Sequence, residues 1–180
     1  MELITTHPHT CFPNHGEGTV EELVSAAVAA GVSTIAVTEH YPMTATFDPD
    51  RYLSMPAERM GEYLAAVEAA REAHPEIEVL VGCEMDWLGD DEDRVITAED
   101  VVPFQLILGS VHLVDRWPFD DPAQRGRWDE VGADLIWRRY FDVWCEAVSS
   151  DAPFHVVSHP DTAKKFGFSP RSDPPPLSEQ

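Results

Sequence analysis

His7 and His9 stand two residues apart just after a short apolar run, and His15 follows in the next loop. Single ligand-type residues then close four later apolar runs: His40, Glu84, His112 and His159. Imidazole and carboxylate are the side chains that bind divalent cations of the zinc, manganese and iron kind. On extended backbone, residues i and i+2 point the same way, so His7 and His9 can reach one cation. Glu84 can bridge two cations through its two oxygens. Together these residues suit a multinuclear site with mixed nitrogen and oxygen ligands, which activates water and neutralises developing charge.

Each residue also has a plain structural alternative. His40, in Thr38-Glu39-His40-Tyr41, could cap a strand carbonyl, and His112 could be a half-buried core histidine. His159 precedes Pro160 and Asp161, so a turn role is open. Glu84 follows the apolar run Val79-Leu80-Val81-Gly82-Cys83 and must be paired or ligating. His74, near a helix end, needs only a dipole interaction, and His155 reads as structural at a strand start. The run Asp90 to Asp93 reads as a solvated loop.

The elements that would position these residues alternate. Leu3 to Thr6 is a short strand. Thr19-Val20-Glu21-Glu22 is a capping box opening a helix to Ala30, which Gly31 stops. Val32 to Thr38 is a buried strand, and a second helix runs from about Ala57 to His74, before Pro75. Strands follow at Ile77 to Val81 and Leu106 to Val111, then a helix from about Asp134 to Ser149 and a strand from His155 to Ser158. Alternation of this kind implies a parallel sheet with its active site at the C-terminal strand ends. Five successive strands would each deliver a ligand to that face, which packing alone does not account for. The expected organisation is one incomplete domain over 1–170, with a proline-rich tail, loop or disorder, over 171–180.

Composition narrows the function. With 33 acidic against 12 basic residues, a formal charge of −21, the chain offers no basic footprint for nucleic acid. The acidic surface suits cation recruitment, and metals would have to reverse the local potential for an anionic substrate. No apolar run is long enough for a membrane span, and the start lacks the order of a signal peptide, so a cytoplasmic protein is expected. Three scattered cysteines, Cys11, Cys83 and Cys145, argue against a disulfide framework or a zinc knuckle.

The same residues resemble the motifs of the PHP (polymerase and histidinol phosphatase) superfamily. Thr6-His7-Pro8-His9-Thr10 is similar to its first motif, and Asn14-His15-Gly16-Glu17-Gly18 to the histidine loop after it. Thr38-Glu39-His40, Gly82-Cys83-Glu84, Gly109-Ser110-Val111-His112 and Ser158-His159-Pro160-Asp161 resemble the later motifs in family order. Trp117-Pro118-Phe119-Asp120 and Lys164-Lys165-Phe166-Gly167 resemble the histidinol phosphatase branch.

The resemblance implies an α/β fold, a distorted (β/α)7 TIM-like barrel with the last two or so strands missing from this chain. It implies hydrolysis of L-histidinol phosphate in histidine biosynthesis, with up to three divalent cations, zinc, manganese or iron. His7, His9 and Glu84 would hold the first. Glu84 would bridge to a second held by His112 and His159, and His15 and His40 would hold a third. Glu84, His112 and His159 would be catalytic. Trp117, Asp120, Lys164 and Lys165 are candidate substrate contacts, although solvated lysines are the simpler reading of the last two. The implied partner is a small phosphorylated substrate, with no nucleic acid or membrane; the oligomeric state stays open.

There are departures from the family. Its late Asp-x-His motif does not occur here, and its domains approach about 250 residues. Thr5 and Glu39 replace aspartates beside the ligands, which bears on orientation rather than ligation. As given, the chain is expected to hold at most two metals, weakly, and to work far more slowly than a complete relative. Open alternatives are a truncated, non-catalytic relative and a phosphoesterase for another small ester.

Overall fold

The structure is a computed structural model, and it describes residues 2–89 and 102–170. Both the acidic run Asp90 to Asp93 and the tail 171–180 lie outside the described residues. Contacts divide the chain into two compact units: residues 2–85, 102–108 and 153–156, and residues 86–89, 109–152 and 157–170.

The first unit is α/β. It contains β1 (Leu3–Thr5), α1 (Val20–Ala29), β2 (Val32–His40), α2 (Met60–Ala73) and most of β3 (Glu78–Asp86). It also takes in the first half of β4 (Leu106–Ser110) and the start of β7 (Val156–Val157). The strands follow the order β1-β2-β3-β4-β7. The β1–β2 and β2–β3 pairs are parallel.

Both helices form for local reasons and pack through one stripe. The Thr19 side chain accepts from the Glu22 amide while the Glu22 carboxylate receives the Thr19 N–H, so two end donors are satisfied. Val20, Val24 and Ala27 of α1 are buried, as are Tyr63, Val67 and Ala70 of α2, in both cases at i, i+4 and i+7. They join Ile35, Val37, Val79, Val81 and Ile107 in one hydrophobic core. Tyr63 ties the layers together: its hydroxyl lies 2.8 Å from the Val37 carbonyl and 2.7 Å from that of Gly82.

Two strands run further than expected. β2 continues past Thr38 to His40, and β3 past Val81 to Asp86. The expected ends lie where the residues turn polar, but the ladder continues with Thr38 opposite Gly82, Glu39 opposite Cys83 and His40 opposite Glu84. His40 and Glu84 are therefore strand residues, not loop residues. The last strand is shorter than expected, Val156–Val157.

The second unit is built around aromatic side chains. A hairpin pairs β5 (Leu113–Val114) with β6 (Trp117–Pro118), and two helices follow, α3 (Arg127–Val131) and α4 (Ala133–Ser149). Trp117, Phe119, Trp128 and Tyr140 are buried, with the rings of Trp128 and Phe168 stacked 5.1 Å apart. The Trp128 indole N–H donates to the Phe119 carbonyl at 2.6 Å. The hairpin was not anticipated. Its two turn residues, Asp115 and Arg116, both have positive φ, 52° and 62°, a conformation usually signalled by Asn-Gly or Asp-Gly. Arg139 of α4 holds Asp115 by an ion pair of 3.0 Å.

Candidate metal centre

In the first unit the β2–β3 register brings His40 beside Glu84, and their side chains meet, His40 Nδ1 lying 3.2 Å from Glu84 Oε2. His7 and His9, just beyond β1, reach the same carboxylate. His7 Nε2 is 3.0 Å from Oε1 and His9 Nε2 is 3.2 Å from Oε2. The rings of His9 and His40 stack at 4.4 Å. Three imidazoles thus converge on one carboxylate whose side chain is 1% exposed. His9, His40 and Glu84 have donor atoms close enough to hold one metal ion.

The loop bearing His15 is shaped by a glycine. A Cβ on Gly16 would lie 1.7 Å from the Thr10 carbonyl oxygen, so only glycine allows the chain to fold back this closely. His15 Nδ1 lies 2.8 Å from the Tyr52 carbonyl, which can only accept. Nδ1 therefore carries the proton and the lone pair is on Nε2. The His15 ring sits 5.2 Å from that of His40.

Glu39, opposite Cys83 in the ladder, is fully buried. Its Oε1 accepts from the Thr10 N–H at 2.8 Å and hydroxyl at 2.5 Å, and its Oε2 lies 4.0 Å from His9 Nδ1. Burial pushes this carboxyl above the usual carboxylate range, with the Thr10 and His9 interactions opposing. Neither Glu39 Oε2 nor His9 Nδ1 has a hydrogen-bond partner. Orphaned polar atoms at this depth are costly unless something completes them.

The second unit holds its own group. Asp86 Oδ1 accepts from the backbone N–H of His112 at 2.9 Å and lies 3.0 Å from its Nδ1. The rings of His112 and His159 are 4.9 Å apart. His159 has φ +24°, unusual for a non-glycine residue, and is held by its neighbours. The Tyr140 hydroxyl donates to its carbonyl at 2.6 Å, and the Trp144 indole donates to that of Ser158 at 3.3 Å. Burial pushes the Tyr140 phenol up to about 12, so it stays a donor.

Other candidates fall elsewhere. Trp117 is buried in the aromatic cluster with the Arg127 guanidinium 4.6 Å over its ring. Asp120 pairs with Lys165 at 3.0 Å, and Lys164 pairs with Asp161. His155 is structural: its Nδ1 accepts from the Ile107 N–H at 3.0 Å. His74, at its helix C-cap, also pairs with Glu21 at 2.8 Å. All three cysteines are free, and burial pushes the Cys83 thiol up, out of any nucleophilic role. Asp86 was not foreseen, although Glu84-x-Asp86 has the same i, i+2 spacing as His7-x-His9.

Residues 5–174 match the PHP domain family. The chain belongs to that family. This PHP domain is 30% identical over 176 residues to a protein of Deinococcus radiodurans described as "Probable histidinol-phosphatase". It covers 97% of the present chain and 65% of that relative, so the chain spans slightly less than two thirds of it. Two solved structures share the fold. A "putative histidinol phosphatase" from Listeria monocytogenes matches at TM-score 0.74 and 19% identity, covering 91% of this chain and 68% of the other. A histidinol phosphate phosphatase from Lactococcus lactis, complexed with zinc, L-histidinol and phosphate, matches at 0.76 and 18% identity, covering 91% and 60%. The PHP domain's clustered imidazole and carboxylate donors are a ligand set suited to divalent metal. Among the described residues no helix is long and apolar enough to cross a membrane.

Proposed function

We propose that this chain is the ligand-bearing part of a metal-dependent phosphomonoesterase acting on L-histidinol phosphate, in histidine biosynthesis. The observation carrying this reading is the approach of three imidazole nitrogens to within 3.0–3.2 Å of the buried Glu84 oxygens. The donor atoms of His9, His40 and Glu84 lie within 4.8 Å of one another, near enough for a divalent cation to be held between them. His7, His9, His15, His40 and Glu84 would hold cations in the first unit, and His112 and His159 would supply ligands in the second.

Bound divalent cations supply Lewis acidity, lowering the pKa of water and neutralising phosphoryl charge. The chain's own residues set the geometry. Glu84, with oxygens facing different imidazoles, distributes one negative charge over the ligand set. His15 presents Nε2 because the Tyr52 carbonyl holds the proton on Nδ1. Glu39, fixed by Thr10, places a carboxylate oxygen 4.0 Å from His9 Nδ1. The choice of substrate is supported by the descriptions of the relatives.

The test is a metal analysis of purified protein, with phosphate release measured from L-histidinol phosphate and from glycerol 3-phosphate. Bound divalent metal and chelator-sensitive release favouring histidinol phosphate are expected. Protein that binds no divalent metal and releases no phosphate in its presence would overturn the reading. Equal release from both esters would remove the substrate assignment alone.

A further inference from the structure

We infer that Asp86 is a positioning residue that fixes the His112 imidazole for cation binding, which rests on the reading of His112 as a ligand. Asp86 ends β3, and its carboxylate is 1% exposed. Two hydrogen bonds converge on one oxygen: Oδ1 receives the His112 backbone N–H at 2.9 Å and faces Nδ1 at 3.0 Å. Oδ1 already accepts the backbone N–H and faces the ring as an acceptor too, so Nδ1 carries the proton and the lone pair lies on Nε2.

Ring orientation and backbone position are thus set by the same atom. Oδ2 is buried and has no hydrogen-bond partner, so no second donor draws the carboxylate's charge away from the imidazole. A carboxylate bonded to the far nitrogen of a ligating histidine fixes its tautomer and raises its basicity. None of this requires Asp86 to touch a cation.

The experiment measures zinc affinity by competition with a chromophoric chelator, on the full chain and on D86A, D86N, H112A and the D86A/H112A double variant. The ring ¹⁵N shifts of His112 are recorded in metal-free protein at alkaline pH, where the imidazoles are neutral. D86A should weaken zinc binding roughly 10–100-fold and lose the preference for protonated Nδ1. In the H112A background it should cost nothing further. D86N, which keeps an acceptor but not the charge, should retain the tautomer and lose only part of the affinity.

Unchanged zinc affinity in D86A or D86N would overturn the inference, as would a full additional loss in the double variant. Should D86A not fold, D86N decides: protonated Nδ1 with intermediate affinity supports the role. The two readings fail separately. If H112A leaves zinc binding unchanged, His112 is not a ligand and both fall. If H112A weakens it while D86A and D86N do not, only the role of Asp86 falls.

Discussion

The two units place ligand-type side chains by different physical means. In the first, backbone pairing does it: the β2–β3 ladder puts His40 opposite Glu84, and the chain beyond β1 brings His7 and His9 to the same carboxylate. In the second, side chains hold loop residues. Asp86 fixes His112, while Tyr140 and Trp144 of α4 fix the carbonyls of His159 and Ser158. The first site should therefore be vulnerable to changes in register, and the second to the loss of single polar groups.

The largest expected effect is on the aromatic cluster behind the second group. Trp128 is 1% exposed, with its indole bonded to Phe119 and its ring stacked on Phe168. Trp128→Ala should cost roughly 3–5 kcal/mol, read as a lower midpoint in urea denaturation. A loss below about 1 kcal/mol would mean that the cluster contributes little to stability.

Next is the register of the first unit. A Cβ on Gly82 would lie 2.6 Å from Thr38 Cγ2 and 2.8 Å from the Val37 carbonyl oxygen. Gly82→Ala should cost about 1–3 kcal/mol and weaken zinc binding by moving Glu84, two residues on. Unchanged zinc affinity would show that the ladder does not set the ligand geometry. Tyr140→Phe sharpens the contrast. It should cost about 1 kcal/mol and weaken zinc binding by loosening the strained His159; unchanged affinity would show that the hydroxyl does not position it.

The smallest effect lies away from both groups. A hydrogen bond donated to the Glu21 carboxylate raises the His74 pKa, with Glu76 assisting and desolvation opposing. Its contribution to stability is fully present below the unfolded value, about 6.5, and is lost as pH rises through the raised folded value. The difference in Tm between the wild type and His74→Gln should thus shrink as pH rises past neutrality. A constant difference would show that the pair does not titrate.

Much of the first group was legible, because ligand-type residues at the ends of apolar runs become neighbours once strands pair in parallel. The strand ends were not. Glu39, His40 and Glu84 look like loop residues, yet they stay in the ladder, where Thr10 bonds Glu39 and where His40 and Glu84 meet each other. The second group was less legible for a related reason. The turn at Asp115 and Arg116 carries no glycine to signal its positive φ, and its ion-pair partner Arg139 is distant in sequence. Asp86 shows its role only through a bond to His112, 26 residues away.

The central claim is that Glu84 is the hub of a cation site. Zinc titration of the wild type against Glu84→Gln tests it most directly, with His74→Gln as a surface control. The account predicts a loss in Glu84→Gln greater than the roughly 10–100-fold of an outer-shell partner, and no change in His74→Gln. A Glu84→Gln protein that folds and binds zinc as tightly as the wild type would contradict it.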